Sequence, residues 1–377
     1  MKFNHQYVIE GATGSETIIN GEKFLYFAGT GYFELNGNSE MLKAASEATL
    51  KYGIATATTR AITGTSPLLL ELEKKAAAFF DTEDAVYLPS GYLTDMAGIQ
   101  ALNELDTFDV VFLDEGSHYS LHEAVSTIDK PVILFKNRDP EHLKLQLQQK
   151  TDHQQRPLIA SDGLFPIRAQ NAPLNHYLEL ANQNNGVVWI DDAHGVGILG
   201  KNGRGTYEHL GLRSPRLFMG ATLSKAFGAY GGIIPGSTAF VKQLKTGNVF
   251  TGSSSPMHAA VAAGIKGIEL VKENPQMREK LWNNALYLKK QLSAIGIKTD
   301  RSPLPIASFS IGNLHTMTEI HKALMDEGIY IQFTNYRGSG NGSILRIVVF
   351  STHTKQQIDF LTQKLEKVLS ETKTNLS

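Results

Sequence analysis

With 377 residues the chain is longer than one hydrophobic core ordinarily serves, and it suits two domains. Hydrophobic residues make up 42% and charged ones 19%, as in an ordinary globular protein, and 36 Lys plus Arg against 37 Asp plus Glu leave no electrostatic footprint for nucleic acid or an anionic membrane. The absence of cysteine excludes disulfides, thiolate catalysis and cysteine-ligated zinc or iron–sulfur sites.

Residues 1–10 lack the basic and apolar regions of a signal peptide. No apolar run has the length of a bilayer span. A cytoplasmic protein is expected. After an N-terminal segment, 1–38, a large domain is expected over 39–272. Ser66 followed by Pro67 marks a helix start, with Leu68, Leu72, Ala76 and Phe79 at helical spacing behind it. Apolar runs at 85–88, 110–113, 132–135, 158–161, 187–190, 217–220 and 232–234 do not alternate, which predicts strands buried on both faces. Helical patterns at 140–149, 173–184 and 256–272 fall after or between them. Strand alternating with helix indicates an α/β class, with a mostly parallel seven-stranded sheet flanked by helices.

The texture changes towards the C-terminus. A long helix over 275–295 is followed by a strand at 306–311 and a helix at 316–326. Strands at 329–333 and 344–350 precede a last helix, 354–370. These predict a smaller α+β domain over 273–377.

Four stretches of the large domain carry candidate chemistry. The strand 187–190 runs into Asp191-Asp192-Ala193-His194-Gly195. Ligands of open α/β sheets bind beyond the carboxyl ends of strands, although an Asp pair there also serves as a strand-end cap. Next, Thr222-Leu223-Ser224-Lys225-Ala226-Phe227-Gly228 sets a lysine among small and apolar neighbours. Desolvation would supply the free amine that imine chemistry needs, whereas a surface lysine in a Gly-rich loop is the plain alternative. The turn Ser90-Gly91-Tyr92 joins a strand to a helical stretch, a common connection that also makes a phosphate cradle. Finally, His118 follows the strand 110–113, and with His122 forms a His-x-x-x-His pair. No glutamate or third ligand completes a metal motif, so no metal is expected; a flat ring at a strand end can stack on an aromatic cofactor. Together these are the requirements of pyridoxal 5′-phosphate (PLP): an imine-forming lysine, a carboxylate for the ring nitrogen, a phosphate cradle and a stacking ring.

At this point the sequence resembles the α-oxoamine synthase family of fold type I PLP enzymes, in pattern nearest to the 8-amino-7-oxononanoate synthases and 2-amino-3-ketobutyrate CoA ligases. The likeness rests on residues 191–197, on Gly203-Arg204-Gly205, on residues 117–121 and on Ser254-Ser255-Pro256. It implies the PLP-dependent transferase fold and a decarboxylative condensation of a small amino acid with an acyl-CoA, and it points towards biotin biosynthesis. It further implies that Lys225 binds the cofactor and moves the α-proton. Asp191 would meet the ring nitrogen, His194 the ring hydroxyl and His118 the ring face. Ser90, Gly91, Tyr92 and Thr222 would hold the phosphate, and Asp162 would belong to the same cofactor site. Ser253 would reach the phosphate of the other subunit in a homodimer with shared sites. Arg346 would bind the amino-acid carboxylate, a task suited to a guanidinium.

The departures surround the substrates. Residues 28–34 read Ala-Gly-Thr-Gly-Tyr-Phe-Glu in place of a Ser-Asn-Asp-Tyr-Leu-Gly-like stretch, and Pro166-Ile167-Arg168-Ala169 replaces a Ser-Met-Asp-Gly-like loop. Residues 58–65 keep their arginine and glycine but lack a histidine usually found shortly after. Tyr32, Phe33, Phe165 and Tyr336 are either core or acyl-pocket residues, and residues 338–342 read as an entrance loop or a plain hairpin connection. Two other functions stay open on the sequence: another fold type I reaction, such as an aminotransferase or a carbon–carbon lyase, and a non-catalytic PLP-binding protein.

Overall fold

The structure, a computed structural model, describes residues 6–150, 154–334 and 343–374. Tyr336 and residues 338–342 therefore lie outside the described residues. The chain divides into two compact units. One comprises residues 39–165 and 170–275, the other residues 1–38, 166–169 and 276–377.

The larger unit is built on a seven-stranded sheet in the order Asp84–Leu88, Gly232–Gly236, Leu217–Thr222, Val187–Asp191, Pro157–Asp162, Val110–Asp114, Val132–Phe135. Every neighbouring pair is parallel except those of Gly232–Gly236, which runs against both of its neighbours. The seven strands are the seven expected from the apolar runs. Val110–Asp114 and Pro157–Asp162 are buried along their whole length, as a sheet covered on both faces requires. Val132–Phe135 departs from that expectation, with Val132 and Leu134 exposed. It is one edge of the sheet, and the face that carries Val132 and Leu134 is open there, whereas the other edge strand, Asp84–Leu88, is buried from Ala85 onwards.

Helix Pro67–Phe80 starts as its sequence predicts. Ser66 is its N-cap and accepts from the Leu69 N–H at 3.4 Å, with Pro67 in the first turn. Helix Tyr92–Glu104 packs over the fully buried Trp189, and Gly98 makes this possible because a Cβ there would overlap the indole ring. A buried ion pair ties residues 58–65 to the first sheet strand. Arg60 Nη1 donates to Glu73 Oε1 at 2.6 Å and to the Tyr87 carbonyl at 3.0 Å. The same glutamate oxygen accepts from the Tyr87 N–H at 2.9 Å.

The smaller unit holds a six-stranded sheet in the order Ile9–Glu10, Glu16–Ile19, Glu22–Phe27, Ile329–Thr334, Ile344–Val348, Ile306–Phe309. Helices Gln276–Ala294, Leu314–Asp326 and Lys355–Thr374 belong to the same unit. The three N-terminal strands were not expected. Ile9–Glu10 is exposed, and Glu22–Phe27 pairs in parallel with Ile329–Thr334, a partner from the far end of the chain that no local pattern announces. Tyr32 and Phe33 are buried in this unit and Phe165 in the larger one, as core residues would be.

Among the described residues no helix is long and apolar enough to cross a membrane.

Candidate active site

Register brings the candidate residues of the larger unit to one end of its sheet. Asp191 stands opposite Asp162 on one side and Gly220 on the other. Two residues on from Gly220, Thr222 pairs with Gly232, which pairs in turn with Leu88 at the end of the first strand. The turns that follow these strands carry Ser90 to Tyr92, His118, His194 and Lys225. All lie at the carboxyl ends of parallel strands, where helix N-termini also gather.

Gly91 is the N-cap of helix Tyr92–Glu104, and Ser90 Oγ accepts from the Tyr92 N–H at 3.2 Å. A Cβ on Gly91 would stand 2.7 Å from both Cβ and Oγ1 of Thr222. The turn and the strand end are thus pressed together. Thr222 Oγ1 lies 2.6 Å from Ser224 Oγ and accepts from the Ser224 N–H at 3.2 Å. Hydroxyls and the first N–H groups of a helix form the donor set that suits a phosphate.

His118 is the N-cap of helix Tyr119–Ser126, accepting through Nδ1 from the Ser120 N–H at 3.2 Å. His118 thus stands at the cap of the helix, and His122 lies in its first turn. Among the described residues no cluster of three side chains suited to a metal occurs. The His118 backbone N–H donates to Asp162 Oδ1 at 2.9 Å. Burial depresses the His118 pKa, while Asp191 pulls it up and Lys225 pushes it down. Asp162 is held well above the usual carboxylate range, by burial first and by Asp191 second.

Asp191 Oδ1 accepts from the Ala193 N–H at 2.9 Å, and the residue is half-buried at its strand end. His194 and Lys225 are half-buried in the neighbouring turns. Asp192, the second member of the acidic pair, has a different place. It is fully buried and takes both of its hydrogen bonds from Thr206. Cβ atoms on Gly163, Gly195 or Gly205 would all collide with its carboxylate, which accounts for the glycines of this stretch. Ser253 follows helix Asn248–Gly252, and its hydroxyl donates to the Val249 carbonyl.

Arg346 lies in the smaller unit on strand Ile344–Val348 and is buried. Its Nη1 donates to Gln332 Oε1 at 2.6 Å and its Nε to the Pro166 carbonyl at 3.0 Å. Nη2 has no geometrically satisfactory hydrogen bond, although Tyr32 interacts with the guanidinium. Burial pushes the Tyr32 hydroxyl up to about 12, with Arg346 opposing. Pro166 thus contributes through its carbonyl oxygen, a role its side chain does not disclose.

Three residues of this region escaped the sequence reading: Asp95, Ser120 and Trp189 as a donor. Trp189 Nε1 donates to Asp95 Oδ1 at 2.8 Å, and Asp95 Oδ2 lies 2.6 Å from Ser120 Oγ. The usable signal was a single acid inside the mostly apolar helix stretch 93–102.

The residues fit PLP on grounds of this structure. The Gly91–Thr222 contact closes a cradle with no room for another side chain, Asp191 ends a central strand, and Asp191 and Lys225 both act electrostatically on His118.

The family model described as aminotransferase class I and II matches residues 29–365. The chain is 33% identical over 362 residues to the 8-amino-7-oxononanoate synthase of Thermosipho melanesiensis, covering 96% of this chain and 92% of that one. Against 8-amino-7-oxononanoate synthase 1 of Bacillus subtilis it is 31% identical, covering 98% and 95%. A solved serine palmitoyltransferase of Sphingomonas wittichii shares the fold, with a TM-score of 0.90 at 22% identity over 98% of this chain and 93% of that one.

Proposed function

This chain belongs to the aminotransferase class I and II family, and we propose that it is a PLP-dependent α-oxoamine synthase that condenses a small amino acid with an acyl-CoA. The nearly full-length likeness to 8-amino-7-oxononanoate synthases carries the reading. In the reaction the α-carbon of the amino acid bonds to the thioester carbonyl carbon and the C–S bond breaks. CoA leaves as its thiol, and the bond to the carboxylate breaks with release of CO2.

PLP supplies an aldehyde that condenses with an amine, and a protonated ring that draws off electrons from the adjoining carbon. The chain's own residues do the rest. Lys225 tethers the cofactor through its Nζ and, once freed, moves the α-proton. Asp191 holds a proton on the ring nitrogen by charge. His118 covers the ring face, and His194 meets the ring hydroxyl. The turn 90–92 and Thr222 bind the phosphate, while Asp162 orients His118 through its backbone N–H. Arg346, with an Nη2 that lacks a satisfactory hydrogen bond, takes the substrate carboxylate.

The same proposal makes the enzyme a cytoplasmic homodimer in which Ser253 serves the partner's site. Leu42, Leu50, Ile54, Ile62, Tyr230 and Met257 are large exposed apolar side chains of the larger unit, and a second copy would cover them.

Thiol release across a panel of small amino acids and acyl-CoAs tests the function. Release of CoA that requires both substrates is the expected result. Conversion of the cofactor to its amine form by an amino acid alone would make the protein an aminotransferase. No turnover with any pair would leave a non-catalytic PLP-binding protein.

A further inference from the structure

Behind His118 runs a chain of four polar groups whose protons can be counted. Trp189 Nε1 can only donate, and it donates to Asp95 Oδ1 at 2.8 Å. The Ser120 backbone N–H can only donate, and it donates to His118 Nδ1 at 3.2 Å. Nδ1 must therefore present a lone pair. The Ser120 hydroxyl also lies 2.7 Å from that nitrogen, so its single proton points there. Asp95 Oδ2 lies 2.6 Å from the same hydroxyl oxygen. With the serine proton already used, the proton of this short contact must sit on the carboxyl group.

We propose that Asp95 is held as a neutral carboxylic acid that, through the Ser120 hydroxyl, reinforces the His118 tautomer with its proton on Nε2, which the Ser120 backbone N–H already requires. Asp95 is a positioning residue. The inference rests on the reading of His118 as the ring that covers the cofactor, because a neutral, oriented imidazole leaves the positive charge with the cofactor's own ring. Burial agrees with the count. Asp95 is fully buried in helix Tyr92–Glu104, and burial is the first cause raising its pKa, well above the usual carboxylate value. Of the charged groups facing it, Asp191 favours the neutral form and Lys225 opposes it. The opposite arrangement, an ionised Asp95 with a proton on His118 Nδ1, would turn two N–H groups towards each other at 3.2 Å.

The test uses the full-length chain as isolated and needs no added cofactor, so it stands apart from any failure of PLP binding. An infrared difference between wild type and Asp95→Asn should show the carbonyl stretch of a neutral carboxylic acid, lost in the variant. Carboxylate bands alone would overturn the proposal. Histidine 15N spectra, with His118 assigned from its loss in His118→Gln, should show an unprotonated Nδ1. Asp95→Asn should preserve it, since an amide can donate to Ser120 and accept from Trp189. Ser120→Ala keeps the backbone N–H and should leave Nδ1 unprotonated, but it removes the partner of the Asp95 carboxyl group and should shift the carboxylic acid stretch; an unshifted band would sink the relay.

Discussion

The carboxylate of Asp192 takes both of its hydrogen bonds from one residue, Thr206: the N–H reaches Oδ2 and the hydroxyl reaches Oδ1, each at 2.6 Å. Burial nevertheless outweighs them and raises the Asp192 pKa to about 7. An acid with a folded pKa above its unfolded value near 4 contributes stability that is full below pH 4 and is lost as pH rises through about 7. Asp192→Asn keeps the pairing without the titration. Urea unfolding from pH 5 to 8 should therefore show the variant gaining on wild type by roughly 1 kcal/mol per unit up to pH 7, then levelling. A constant difference would refute the shifted acid.

Gly91 faces Thr222 with no space between them. Gly91→Ala must push the turn away from the strand end, by a Cβ that would otherwise sit 2.7 Å from Thr222. Its φ of −60° suits any residue, so the effect is one of approach and not of backbone strain. Titrating cofactor-depleted protein with PLP should show affinity weaker by about tenfold or more, equivalent to roughly 1.4 kcal/mol. Unchanged affinity would remove the turn 90–92 from the phosphate site.

Arg346 presents a planar fork with Nε and Nη1 fixed by the Pro166 carbonyl and by Gln332. A lysine keeps the charge and loses the fork. Arg346→Lys should raise KM for the amino acid by about 10- to 100-fold while leaving KM for the acyl-CoA near wild type. Equal effects on both substrates would argue against carboxylate binding.

Arg60 and Glu73 form an ion pair with each side chain only 4% exposed. Removing Arg60 leaves the buried Glu73 with only the half-buried Lys245, 3.6 Å from Oε2, which costs at most about 3–5 kcal/mol. Arg60→Ala should lower the urea midpoint accordingly. The double change Arg60→Met with Glu73→Leu removes the buried charges but also strands the Tyr87 N–H and carbonyl, so it should recover only part of that loss.

Lys225 carries the cofactor assignment most directly. Lys225→Ala should lose the absorbance of the lysine-bound cofactor in the near-visible range. Retention of that band would move the assignment to another amine.

Local pattern alone determined much of this protein. Seven apolar runs marked all seven strands of the larger sheet; strands packed on both faces must be apolar throughout, and only Val132–Phe135 is apolar without being so packed. Ser66 and Pro67 marked a helix start, because capping and a fixed φ act within one turn. The placing of Asp191, His118 and Lys225 at one end of that sheet was legible too, since each ends or follows a strand that could be seen. Pairing between distant segments belonged to the tertiary structure. It joined Glu22–Phe27 to Ile329–Thr334 and put the Pro166 carbonyl on Arg346. It also separated two adjacent acids, Asp191 to the end of the sheet and Asp192 into a cage of three glycines. Asp95 was hidden for the same reason. A buried carboxyl group is defined by the polar groups that meet it, and Trp189 comes from a strand and Ser120 from another helix.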